Sequence, residues 1–138
     1  MSRLSFAILV PSLLVLSGVA MAATGDDLLS GLPTPPNSQT LGTEAISAGG
    51  QQASYKTSAA PAAVVAAYKE SLPQAGWTVT DAGGSGSSYG GGAGLQATNG
   101  PKYLSVNAGG PSGTTFVNVC VWPSKPKNDS CGGDNDNN

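Results

Sequence analysis

The sequence predicts an α+β domain: a two-layer sandwich in which one main helix packs on a mostly antiparallel sheet, in the order β-β-α-β-β-β-β. Three observations carry this reading. In "PAAVVAAYKESLPQAGW", Pro61 to Trp77, the residues Val64, Val65, Tyr68, Leu72 and Ala75 recur at helical spacing and form one apolar stripe. "KYLSVNA" (102–108) and "TTFVNVCVW" (114–122) alternate apolar and polar residues with period two. "NGP" and "GGPSG" between the apolar runs supply the Gly and Pro that reverse a chain, and strands joined by short turns pair antiparallel. A single helical stripe covers a single sheet face.

The elements follow in order. Met1-Ser2-Arg3 is a short positive start, and Leu4 to Ala20 is almost wholly apolar. Ala20-Met21-Ala22 supplies small residues at a cut site, so residues 1–22 read as a secretory signal peptide cleaved after Ala22. Ala23 stands where a lipoprotein would carry its acylated cysteine, so no stable membrane anchor is expected after cleavage. Residues 23–42, with "GLPTPPNSQTLG", read as an extended Pro-rich linker. A single domain spans 43–131, and residues 132–138 form a disordered polar tail.

Within the domain, "TEAISAGGQQASYKTS" reads as two strands around a turn at Gly49-Gly50, with Ile46 facing a core. Pro61 suits the first helical position and Gly76 a left-handed stop. Pro73 argues against a regular helix beyond Leu72. "WTVTD" (77–81), a short strand at "GLQAT" (94–98) and the two runs above complete the sheet. The run from Gly83 to Gly94 reads as a flexible loop between strands.

The segment "SYKTSAAPAAVVAAYKESLPQAGWTVT" resembles a recurrent pattern in small exported bacterial α+β domains and lipoproteins. There a Tyr-x-Thr strand leads into a helix of the form V-V-x-x-Y-x-x-x-L-x-x-x-G-W. Val64, Val65, Tyr68, Leu72, Gly76 and Trp77 hold those positions. The pattern continues through Leu104-Ser105-Val106 and "GTTFVNV", Gly113 to Val119. The resemblance implies the fold and carries over no catalytic residue. The long glycine run and the tail bearing Cys131 depart from it.

Composition narrows the chemistry. The chain has 138 residues, six cationic and eight acidic side chains, a formal net charge of −2 at pH 7 and no histidine. A weakly acidic chain with scattered lysines has no electrostatic footprint for nucleic acid. Absence of histidine removes most zinc, copper and haem sites. Gly86-Ser87-Ser88-Tyr89-Gly90 matches a nucleophile elbow at Ser88, but that serine lacks a histidine base and the following "GGGAG" opposes the helix the elbow requires. Gly92-x-Gly94-x-x-Ala97 matches a relaxed dinucleotide fingerprint with no helix behind it. Asp134-x-Asp136-x-Asn138 begins a calcium loop and then the chain stops. No cofactor is expected.

Cys120 and Cys131 are the two cysteines. In an exported chain they read as a disulfide that pins the tail against the outer sheet face near Trp122. That face carries Tyr103, Asn107, Phe116, Asn118 and Trp122, a mixture of small polar groups and aromatics suited to a partner or glycan. The functional expectation is an exported, monomeric, non-catalytic binding module with an envelope protein or glycan as partner. The alternative is a small secreted hydrolase using carboxylates or Ser88.

Overall fold

The computed structural model describes residues 27–87 and 90–131. The segment read as a signal peptide, Ser88 and the tail from residue 132 lie outside them.

One α-helix, a short 3-10 turn (Ser47–Gly49) and six strands make up the described fold. The strands β1 (Ser38–Ile46), β2 (Gly50–Thr57), β3 (Thr78–Ser87), β4 (Gly90–Asn99), β5 (Lys102–Gly109) and β6 (Thr115–Trp122) form one sheet. The helix α1 (Pro61–Gln74) lies between β2 and β3 in sequence. The sheet order is β1-β2-β6-β5-β4-β3, and every neighbouring pair is antiparallel. The α+β class read from the sequence therefore holds.

The helix packs against β3, β4 and β5. It begins at Pro61, whose missing N–H would have no helical partner at that position. Val64, Val65, Tyr68 and Leu72 are buried, while Lys69 and Glu70 are exposed. Ala75 departs from the expected stripe: it is the exposed C-terminal cap. The helix continues through Pro73 to Gln74, two residues further than expected. Its end explains why. Trp77 N–H donates to Leu72 O at 3.0 Å and Gly76 N–H to Pro73 O at 3.2 Å, with Gly76 at φ 91°. This Schellman arrangement satisfies the last carbonyls, and the buried pair Leu72 and Trp77 closes it.

The main core lies on the helix side of the sheet. Leu104 and Val106 of β5, Val117, Val119 and Val121 of β6, and Leu95 and Ala97 of β4 meet the helical stripe there. Each fully buried valine or leucine contributes roughly 1.5–3 kcal/mol relative to exposure.

Three expectations are corrected. Strand β1 starts at Ser38, so residues 38–42 of the expected linker are sheet. Upstream of it, Leu28 is buried in the main core, with Leu29 and Leu32 packed against it. Leu28 N–H donates to Gln51 Oε1 at 3.0 Å, and Thr57 Oγ1 donates to Pro36 O at 2.6 Å. The physical reason is coverage: α1 lies over β3–β5, and the 27–37 segment contributes its leucines to the same core from the N-terminal side.

The second correction is the glycine run. Gly83 to Ser87 pairs with Gly90 to Gly94, so the expected loop is the distal part of the β3–β4 hairpin. Strand pairing needs only backbone groups, and glycine supplies these. Beyond Ser88, which lies outside the described residues, the described chain resumes as strand β4 at Gly90 and not as a helix.

The third concerns the β1–β2 turn. The left-handed residues are Ala48 (φ 61°) and Gly49 (φ 75°), while Gly50 already belongs to β2. Ile46 packs against the cluster of Tyr103, Cys120, Trp122 and Cys131, away from the main core.

Candidate binding face

Alternation along β5 and β6 sends Tyr103, Ser105 and Asn107, with Phe116, Asn118, Cys120 and Trp122, to the face opposite the helix. Register aligns them in rows: Tyr103 with Trp122, Ser105 with Cys120, Asn107 with Asn118. The rows continue through Gln52 and Ser54 on β2 and through Gly94 and Gln96 on β4.

One end of this face is covered by the chain itself. Cys120 and Cys131 are joined, with Cα atoms 5.6 Å apart. The bond draws residues 123–131 across β5 and β6. Tyr103 Oη donates to Asp129 Oδ2 at 2.7 Å, and Lys125 Nζ lies 5.6 Å from the Tyr103 ring centre. Asn107 Nδ2 donates to the carbonyl of Cys131. Trp122 Nε1 donates to Ser47 O at 3.2 Å. Tyr103 and Trp122, with ring centres 6.0 Å apart, form a small second core with Cys120, Cys131 and Ile46.

The five expected contact residues therefore divide. Tyr103 and Trp122 are buried and serve the clamp that holds the tail. Asn107 and Phe116 are exposed, and Asn118 is half-buried. Burial raises the Tyr103 phenol above its ordinary pKa, and the hydrogen bond to Asp129 and the charges of Asp129 and Asp81 raise it further.

The middle of the face is satisfied internally. Ser54 Oγ donates to Asn118 Oδ1 at 2.9 Å. Gln52 Nε2 lies 3.3 Å from Glu44 Oε1, 3.4 Å from Ser54 Oγ and 3.4 Å from Asn118 Oδ1. These side chains hold one another.

The flank of the face toward β3 and β4, beside the clamp, differs. A groove of about 210 Å³ is lined there by Asp81, Gln96, Ser105 and Asn107, with Gly83 and Gly94 between them. A bulge between Val79 and Asp81 sets it up. Val79 pairs with Ala97 on the helix side, Thr80 is the extra residue, and Asp81 pairs with Gln96. Strict alternation would carry Asp81 to the side of Val79; the extra residue turns it outward. No hydrogen bond among the described residues uses the Asp81, Gln96 or Ser105 side chain. Ser105 is only 5% exposed and lines the groove. A Cβ on Gly94 would stand 3.3 Å from Asn107 Oδ1, so glycine keeps the groove open.

No family model, curated protein or solved structure matches this chain. The chemistry of the face is therefore read from its own groups. Among the described residues, no cluster of three His, Cys, Asp or Glu could hold a metal ion, and no helix is long and apolar enough to cross a membrane. Among the described residues, Asp81 is the one charged side chain lining the groove, and two amides and a hydroxyl complete its polar lining. Such a set donates and accepts hydrogen bonds without attracting an anion.

The outward positions of Ser105 and Asn107 follow from the alternation of β5. Asp81 and Gln96 escaped it, because the bulge and the length of β4 are decided by pairing between segments.

Proposed function

We propose that this protein is an exported, non-catalytic binding module of the bacterial cell envelope, periplasmic or secreted, with the outer sheet face as its working surface. In this reading the helix forms one layer and the sheet the other, which leaves the outer face to carry function. The observation that supports it best is the contrast across that face. Glu44, Gln52, Ser54 and Asn118 satisfy one another, and the tail is clamped. The side chains of Asp81, Gln96 and Ser105 in the groove make no hydrogen bond among the described residues. Polar groups in a concavity without internal partners are free to recognise a ligand.

Export rests on the Arg3 start, the apolar run and Ala20-Met21-Ala22, and on a disulfide of the kind that persists in oxidising compartments. Intact mass of the exported protein should begin at Ala23; Met1 retained on membrane-bound protein would overturn the localisation. Among the described residues the groove carries one carboxylate, where glycoside hydrolysis by the common route uses two.

The test is a pull-down from envelope extract with the wild type and with an Asp81→Asn/Gln96→Ala double variant. A component retained by the former and lost by the latter is the expected result. Identical retention by both would place binding elsewhere and overturn the proposal.

A further inference from the structure

Resting on that binding-face reading, we infer that the groove takes one neutral sugar unit of a glycan, and that Phe116 carries the next unit along. The lining groups make the case. Asp81 contributes acceptors only, Gln96 offers an amide donor and acceptor, Asn107 offers Oδ1 and the one amide hydrogen not given to Cys131, and Ser105 offers a hydroxyl. A sugar ring presents vicinal hydroxyls that both donate and accept, so this mixture can bind it in paired fashion. Among the described residues no cationic side chain lines the groove, and Asp81 repels anions, which disfavours phosphorylated and acidic ligands. A lone carboxylate is a poor cation site, because hard cations take several oxygen ligands.

Size and shape agree. A volume of about 210 Å³ is below the range typical of enclosed small-molecule pockets, and it has room for a single sugar ring rather than a buried cofactor. The backbone of Gly83 and Gly94 lets a flat ring approach the sheet. Asn107 pairs with Asn118, and Phe116 lies two residues before Asn118 on the same face. Phe116 is 44% exposed, one of two large apolar side chains among the described residues left open to solvent. The C–H face of a sugar stacks on such a ring, so a glycan seated in the groove would cross Asn107 and reach Phe116.

The experiment is an amide NMR titration of the protein purified from the envelope of an expressing host. The probes are cellotriose, maltotriose, mannotriose and chitotriose, with their monosaccharides. At least one trisaccharide should give saturable shifts at Gly83, Gly94, Gln96, Ser105 and Asn107. Asp81→Asn and Gln96→Ala should each weaken that binding at least tenfold with melting temperature unchanged. Phe116→Ala should weaken the trisaccharide at least threefold and leave its monosaccharide unaffected. The matching uronic acid should bind at least threefold more weakly than the neutral sugar, and Asp81→Asn should remove that difference.

No saturable shift with any of the four sugars overturns the sugar assignment, as does a calcium titration that alone reproduces the shifts. If the envelope pull-down still depends on Asp81 and Gln96 in that event, the binding face stands and its ligand is of another class, such as a protein. If the pull-down also fails, both readings fall.

Discussion

At the residue scale, two glycines that adjoin in sequence do unrelated work. Gly49 adopts φ 75°, which suits a turn. Gly50 is extended, and what it lacks is volume: a Cβ there would lie 2.5 Å from Trp122 Cδ1 and 2.9 Å from Ile46 Cγ1. Gly50→Ala should therefore push the indole out of its bond to Ser47 and cost about 1–3 kcal/mol, the scale of overpacking. The check is a denaturant melt followed by tryptophan fluorescence. The buried phenols make a second prediction. Burial raises the pKa of Tyr55, Tyr68 and Tyr103 above the ordinary 10.0, and the Tyr68 hydroxyl has no hydrogen-bond partner. The folded state then keeps protons that the unfolded chain releases near pH 10. Their contribution to stability is full below that pH and is lost as pH rises through the higher folded values. Base titration should show the phenolate absorbance of Tyr68 and Tyr103 appearing together with unfolding; their ordinary titration near pH 10 in a still-folded protein would refute this.

At the element scale, the tail that ends at Cys131 behaves as part of the fold. It holds Tyr103 through Asp129 and Asn107 through the carbonyl of Cys131. Cys131→Ser removes the covalent clamp and should lower stability by about 1–3 kcal/mol, the lower part of the range for short loops. For a domain of this size that is several degrees in melting temperature. The oxidised wild type should show no titratable thiol. A serine variant as stable as the parent would refute the clamp. The helix stop is equally specific. Gly76→Ala places a Cβ at φ 91° and should cost about 1 kcal/mol by the penalty for left-handed backbone, seen in a urea melt.

For the whole molecule, the boundary of the cooperative unit lies upstream of β1. Leu28 is 8% exposed and belongs to the same core as Leu72 and Val119. Leu28→Ala should cost about 2 kcal/mol, the lower end for buried leucines because the site is at the core's margin. Removing residues 23–37 should cost more, since Leu29, Leu32 and the bond from Thr57 to Pro36 go with it. Thermal melts of both variants would measure this. Unchanged melting temperatures would return the segment to the status of a linker.

What the sequence determined by itself is what neighbours along the chain decide. Pro61, the Val64-to-Leu72 stripe and Gly76-Trp77 specify a helix and its end, because capping and periodicity act within a few residues. The alternation of 102–108 and 114–122 identifies β5 and β6 and the face of each side chain, including Ser105 and Asn107. Two cysteines leave one pairing, and it is the one formed. The tertiary structure alone decided the rest. Ser38 to Gly42 and the glycine run carry almost no propensity, and they become strands because a paired neighbour supplies the hydrogen bonds. The bulge that turns Asp81 outward depends on register with β4, which no local rule reports. The cysteines place the tail near Trp122, but its hold on Tyr103 through Asp129 and on Asn107 through Cys131 is made only by the fold. Contacts between residues far apart in sequence thus covered part of the outer face and left the groove beside it, toward β3 and β4.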